Sequence, residues 1–544
     1  MIALTFANIF VKLVGLILKV PLRNMLGDAG MIYYNNAYEI YAWLFTISTI
    51  GLPSAISMMI SEDRAKGNVK EIKKIYRVSL FLFLVIGVVG TSVMFFGAPL
   101  FEQAYRIENS AYCIMAVAPT LFFICIASAL RGYFQGYQNM TPTAMSEIIE
   151  AIGKMALGLL FAQYAISQGY EMHIVAAYAA LGLTIGVAAG MLYLFITKLF
   201  FRPRQYDFEY AALADETMEV KNASKIVKTL LFIAIPITFA NSIQSFSAMI
   251  DSMLLTRRLQ EIGFAEEQVK QMVGNYKTCA VPFGNLPPAM IAPVTASILP
   301  MLTASIAAGN KSRTKKVIES SLLITAILEL PCALGMSVLA EPIIKLLFGE
   351  GTGAEAAAPL LSVLSLSVFF GSMIATTSAI LQAHKLERKP IVSMLVGAVV
   401  KISSVYLLVG IPSLNIQGAP ITAILGAFAI SAVNLYYIKK YLGYVPDFKR
   451  ILLRPFAASL ICALTAMVSY WGINAFFAAF LPRLTRFSVI FAIGVAMVVY
   501  FFVIFLFRAV SREDVLLLPK GQKLCRLLER MHLLPKEASI SEES

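Results

Sequence analysis

The chain is short of charge. Only 14% of its 544 residues are Asp, Glu, Lys or Arg, against 58% hydrophobic, and mean hydropathy is +0.75. A soluble domain carries about a quarter charged residues, so that class is excluded. Histidine is scarce: His173, His384 and His532 lie far apart in sequence. No HExxH, P-loop or G-x-S-x-G pattern occurs, so the familiar hydrolytic and nucleotide-driven chemistries have no motif. The cysteines, Cys113, Cys125, Cys279, Cys332, Cys462 and Cys525, sit mostly in apolar stretches. Their spacing suits neither zinc nor a disulfide framework, and they read as small apolar residues. The longest hydrophilic connection runs to about thirty residues, too short for a catalytic domain. No enzyme activity, cofactor or metal is expected.

What the chain has is long apolar runs. Fourteen are long enough to cross a bilayer as helices, which takes about 20 residues each. They fall near 3–27, 31–60, 78–101, 109–138, 142–167, 173–200, 228–257, 273–307, 317–347, 354–383, 390–411, 415–438, 453–480 and 484–507. The expected fold is an all-α polytopic membrane protein. The opening MIALTFANIF has no basic region and no cleavage site, so the first helix is expected to be retained.

The net charge of +13 points to a membrane surface rather than to nucleic acid, because of where the charges fall. Thirty-two of the 45 Lys and Arg lie in alternate connections, such as 62–77, 198–228, 308–316, 384–390 and 439–454, and in the tail. The opposite connections hold seven. Positive charge is retained inside, so both termini are expected in the cytoplasm of a bacterial plasma-membrane protein.

Inside the first run, Asn8, Lys12, Gly15, Lys19 and Arg23 share a sector of roughly 80° at 100° per residue. A charge at the bilayer centre costs on the order of 3 kcal/mol or more, so this stripe should face a wet cavity. Snorkelling to the interface would suit Arg23 and would suit Lys12 poorly.

Segments recur in order. Thr5-Phe6-Ala7-Asn8 returns as Thr238-Phe239-Ala240-Asn241, and Gly67-Asn68 returns as Gly309-Asn310. Gln135, Pro142 and Lys154 return as Gln382, Pro390 and Lys401. Six spans per repeat is even, so two six-helix lobes should be related by a pseudo-two-fold axis along the membrane normal. The expected parts are an N-lobe at 1–200, a cytoplasmic linker at 201–227, a C-lobe at 228–441, two extra helices at 442–508 and a cytoplasmic tail at 509–544.

Several spans carry polar groups. Glu147, Glu150 and Lys154 share one face of the fifth, and Glu150 and Lys154 are an i,i+4 pair that could neutralise itself. Lys401 has no carboxylate in its own span and needs a partner elsewhere or an anion. Tyr33, Tyr34, Tyr38 and Tyr41 in the second span read as an interfacial belt, with Glu39 among them as a partner for the first-span cations. Asn241, Gln244 and Asp251 mark a polar line in the seventh; Asp251 suits either a coupling cation or Lys19. Pro282, Pro287, Pro288, Pro293 and Pro300 break the eighth, as a bending element or a static kink.

At Leu130–Lys154, LRGYFQGYQNMTPTAMSEIIEAIGK resembles the stage V sporulation protein B branch of the polysaccharide transporters. That branch belongs to the multidrug/oligosaccharidyl-lipid/polysaccharide (MOP) flippase superfamily and is related to lipid II flippases. KVPLRNMLG and GLPSAIS fit the same pattern, and the fourteen-span layout covers nearly the whole chain. The resemblance implies export of an undecaprenyl-diphosphate-linked saccharide, through a cavity with cations on the first span and a lipid-tail groove at spans 13–14. Lys12 and Lys19 match basic positions of that group. Its sodium site implies acidic or amide residues on spans 7 and 11; Asp251 fits, and the eleventh span has none.

The expected function is therefore a flippase working by alternating access. Asn8, Lys12, Lys19, Arg23, Glu39, Glu150, Lys154, Asn241, Gln244, Asp251 and Lys401 are the candidate substrate-binding residues. Sodium, protons and the membrane potential are the candidate energy sources. The expected partners are the lipid-linked saccharide, the bilayer and the cell-wall machinery. A drug/cation antiporter of the same superfamily is the alternative; a membrane glycosyltransferase and a transport-inactive scaffold are more distant ones.

Overall fold

The computed structural model describes residues 2–49, 51–201, 221–350, 353–444, 447–512 and 521–530. Most of the expected linker and tail, and the side chain of Asn8, lie outside the described residues. All regular structure among them is helical.

Among the described residues, ten helices are long and apolar enough to span a membrane. There are eleven if Ala223–Phe239 and Asn241–Glu261, which meet at 43°, count as one bent span. Fourteen were expected, and local chemistry accounts for the difference. The first two runs continue from Ile2–Thr49 into Gly51–Ala65, with a break at Gly27, whose φ of 66° and ψ of 176° leave the helical region. Thr141–Ser167 is a further helix of 27 residues, long enough to cross a membrane, that carries Glu147, Glu150 and Lys154. The eighth run breaks into Glu266–Asn275, a π-helical turn at Tyr276–Ala280, Val281–Gly284 and Pro288–Ala307. The tenth divides into Ala358–Leu364 and Leu366–Ala383.

The chain forms two compact units, Met1–Thr278 with Val405–Ile416, and Cys279–Ser404 with Gln417–Ser544. These units follow packing and do not use the boundaries of the expected lobes. The helix Ala223–Glu261 packs within the first unit, against Ile2–Thr49 and Gly51–Ala65.

In the first unit, Thr141–Ser167 and Met172–Phe200 cross on glycine. A Cβ on Gly182 would lie 2.2 Å from the Gly158 backbone nitrogen, and one on Gly186 would lie 2.7 Å from that of Lys154. Without a side chain in the way the backbones meet, which fixes Lys154 in depth and direction. In the second unit, a Cβ on Gly426 would meet Cβ of Lys401 at 2.9 Å. Its core is aliphatic and aromatic, with Leu322, Leu323, Val368, Ile380, Leu381 and Ile438 all but fully buried. Thr325 and Thr376 hydrogen-bond across it at 2.7 Å.

The sequence repeats recur as local geometry. Gly67 and Gly309 take φ of 75° and 67°, a left-handed conformation that glycine adopts freely. Each is followed by an Asn that caps the next helix: Asn68 accepts from the Glu71 N–H at 3.0 Å, and Asn310 from the Arg313 N–H at 2.9 Å. Gln138 and Lys385 are left-handed at φ 59° and 60°. Their N–H groups donate to the carbonyls of Gln135 at 2.8 Å and Gln382 at 2.9 Å. Pro142 and Pro390 follow at the starts of the next helices.

Candidate functional site

The first unit encloses a cavity of about 200 Å³. Its apolar wall includes Val11, Val14, Gly15 and Leu18; its polar wall is Tyr38, Tyr41, Arg131, Glu147, Glu150 and Lys154. The cationic stripe of the first run is not that wall. The wall takes Gly15 from the stripe and none of its three cations, because Val11, Val14 and Leu18 centre roughly a third of a turn round the helix from Lys12, Lys19 and Arg23.

Each stripe cation has a different fate. Arg23 is buried, 4% exposed, and holds Asp28 with two hydrogen bonds at 2.6 and 2.8 Å. That two-point pair is a structural clamp. Lys19 donates to the Lys277 carbonyl at 2.8 Å, in the π-helical turn, where backbone carbonyls are displaced from regular helical pairing. Lys12 is exposed.

Glu39 does not pair with the first-span cations as expected. It takes the Lys277 ammonium on both carboxylate oxygens, at 2.7 and 2.8 Å, and Lys277 also donates to Ser252. Asn35 bonds Thr278 at 3.0 Å beside it. The π-helical turn is thereby tied to the second run. Lys277 was not among the candidate residues; its signal was its place in a run with proline breaks.

The expected Glu150–Lys154 pair is also replaced. Arg131 holds Glu150 at 3.1 Å and donates to Ser146 at 3.1 Å. Arg131 was not among the candidate residues, although it lies inside Pro119–Gly136, the helix of the fourth run. The apolar residues after it, in RGYF, were the available signal. With Glu150 engaged, Lys154 turns to aromatics: its ammonium lies 4.5 Å from the Tyr38 ring centre, with the Tyr34 hydroxyl as a polar neighbour. Among the described residues, no carboxylate lies within ion-pair distance of Lys154. Tyr33, Tyr34 and Tyr41 are buried, so this segment is cavity wall and core rather than an interfacial belt. Glu147 lines the same cavity with one buried oxygen lacking a hydrogen bond.

The other candidates are not brought into that cavity. Asn241 is exposed and donates back to the Ile237 carbonyl at 2.8 Å. Gln244 is exposed and Asp251 half-buried, the latter within electrostatic reach of Tyr105 and Tyr276. Lys401 lies in the second unit against Gly426. No group of three or more His, Cys, Asp or Glu suited to a metal occurs among the described residues.

A family model described as polysaccharide biosynthesis protein matches residues 1–306, and a MatE model matches residues 282–407. Stage V sporulation protein B of Bacillus subtilis (strain 168) is 25% identical, over 94% of this chain and 96% of its own. Lipid II flippase MurJ of the same organism is 25% identical, over 81% of this chain and 82% of its own. A solved structure of lipid II flippase MurJ in an inward closed conformation superposes with a TM-score of 0.68 at 14% identity. It covers 93% of this chain and 99% of that one, a likeness of fold.

Proposed function

Because the chain belongs to the polysaccharide biosynthesis protein family, we propose that it is a flippase for a polyprenyl-diphosphate-linked saccharide. It would carry that substrate from the inner to the outer leaflet by alternating access. Lys154 supports this reading most directly. A lysine on a cavity wall in a membrane helix, its nearest carboxylate taken by Arg131, is a charge kept available for an anion. A diphosphate has that chemistry, and an ammonium binds it as a point charge that can also let go. Lys12, Lys19 and Lys401 are the further cations proposed to meet it. Arg23, Glu39 and Glu150 hold the helices in place. The names of the relatives, a lipid II flippase and a sporulation protein, support the substrate class.

A bacterial plasma-membrane location, with both termini cytoplasmic and two six-span lobes about a two-fold axis, belongs to the same proposal. Outside labelling of single cysteines should then modify position 266 and spare position 73. A second reading, the drug/cation antiporter, is favoured by the MatE match and by Glu147, whose unpaired oxygen suits a cation. Proteoliposomes separate the two. Flipping of lipid II, or of another polyprenyl-diphosphate saccharide compared beside it, is expected without efflux of a cationic dye. Dye efflux with neither lipid moving would overturn the flippase.

A further inference from the structure

The repeated frame is filled differently at its basic, loop-bearing end. In the first unit Tyr76, Tyr133, Tyr137 and Phe201 pack ring against ring, with centroids 5.0–6.4 Å apart. Lys198 closes the cluster with its ammonium 3.0 Å from the Tyr76 ring centre. The Gly-Asn cap and the left-handed turn, matched above, carry Tyr76 onto Ile318, Tyr133 onto Ile380 and Tyr137 onto His384. Three of the plug's four rings are thus replaced in the second unit, two by isoleucine and one by histidine. In the plug's place is a cavity of about 720 Å³, walled by Lys311, Lys315, His384, Tyr441 and Tyr444.

That cavity is cationic. Lys311 and Lys315 are exposed, and among the described residues no carboxylate lies within ion-pair distance of either. His384 has Nδ1 2.9 Å from the Ile380 carbonyl, which makes Nδ1 the donor of that bond. Lys389 lies 4.8 Å from the Tyr441 ring centre and Lys440 5.8 Å, adding charge at the rim. Tyr444 is 6% exposed and has the Glu319 carboxylate as its polar neighbour. An unplugged cavity walled by two exposed lysines and an imidazole suits a ligand that brings negative charge and several acceptor oxygens.

We propose that this cavity of the second unit, built by Lys311, Lys315, His384 and Tyr444, binds a phosphate group. The source is an acidic phospholipid head group at the membrane surface or a soluble phosphate. This site stands apart from the Lys154 cavity and does not depend on what the protein transports.

The full-length chain in nanodiscs provides the test. One arm compares retention of phosphatidylglycerol with that of phosphatidylcholine by native mass spectrometry. The other titrates inorganic phosphate into phosphatidylcholine nanodiscs by calorimetry. Wild type should bind in at least one arm, and the arm that responds identifies the source. Lys311→Gln with Lys315→Gln should weaken that binding roughly tenfold. Ile318→Tyr with His384→Tyr rebuilds the plug while keeping both lysines, and should abolish it. Lys73→Gln alters the first-unit counterpart of Lys315 and should change nothing. Size-exclusion profiles confirm that each variant is folded. Absence of binding in both arms, an unaltered double-lysine variant, or an equal loss in Lys73→Gln would each overturn the site.

Discussion

Lys154 crosses a neighbouring helix at Gly186 and Lys401 crosses one at Gly426, so a similar contact is made once in each unit. What surrounds the two lysines differs. Around Lys154 stand Arg131, Glu147, Glu150, Tyr34 and Tyr38, on or beside a cavity. The second unit's core is mostly aliphatic, with hydroxyl pairs such as Thr325 and Thr376 and a single deeply buried carboxylate, Glu329, among its described residues. Basic character concentrates instead at its loop end, where the first unit is plugged by tyrosines. The difference teaches that glycine contacts and caps preserve the frame while the side chains hung on it diverge, and the divergence is where ligand chemistry resides.

The strongest way to break the comparison is through the crossings themselves. Gly182→Ala drives a methyl into the Gly158 backbone, which cannot step aside, so the first unit should fail to accumulate in membranes. Gly397→Ala meets Cγ1 of Ile430 at 2.1 Å, a side chain that can change rotamer. It should cost about 1–3 kcal/mol and still accumulate. Immunoblots of membranes and melting of purified protein check both.

Ion pairs come next. Arg23→Ala strands Asp28 and should cost about 3–5 kcal/mol, with a matching fall in melting temperature. Arg23→Ala combined with Asp28→Ala should recover part of that loss, since no buried charge is left alone. Failure of the double variant to improve on the single would show that Arg23 contributes through packing instead.

The smallest effect is expected at the caps. Asn68→Ala and Asn310→Ala each remove one capping acceptor, so each should cost about 1 kcal/mol in chemical denaturation. A large difference between the two would break the equivalence of the repeat at that point.

The membrane class, the helical fold and the repeat positions were legible in the sequence because apolar length, glycine and capping asparagine act locally. The Gly67-Asn68 and Gly309-Asn310 geometry follows from two residues each. Ion-pair partners were not legible. Glu150 has Lys154 four residues away, yet it pairs with Arg131, nineteen residues back on another helix. Glu39 pairs with Lys277, more than two hundred residues on. Such choices depend on which helices pack together, and periodicity within one span carries no trace of that. Helix boundaries were less legible for a related reason: Gly27 breaks a helix without ending it.

The most direct measurement is the affinity of purified protein for a short-chain polyprenyl diphosphate, for wild type, Lys154→Ala and Lys154→Arg. Lys154→Ala should fold and melt like wild type, because Arg131 keeps Glu150 paired, and should bind roughly tenfold more weakly. Lys154→Arg should fall between, since charge is kept and geometry is altered. Undiminished binding by a folded Lys154→Ala protein would contradict Lys154 as the anion-binding residue of the cavity.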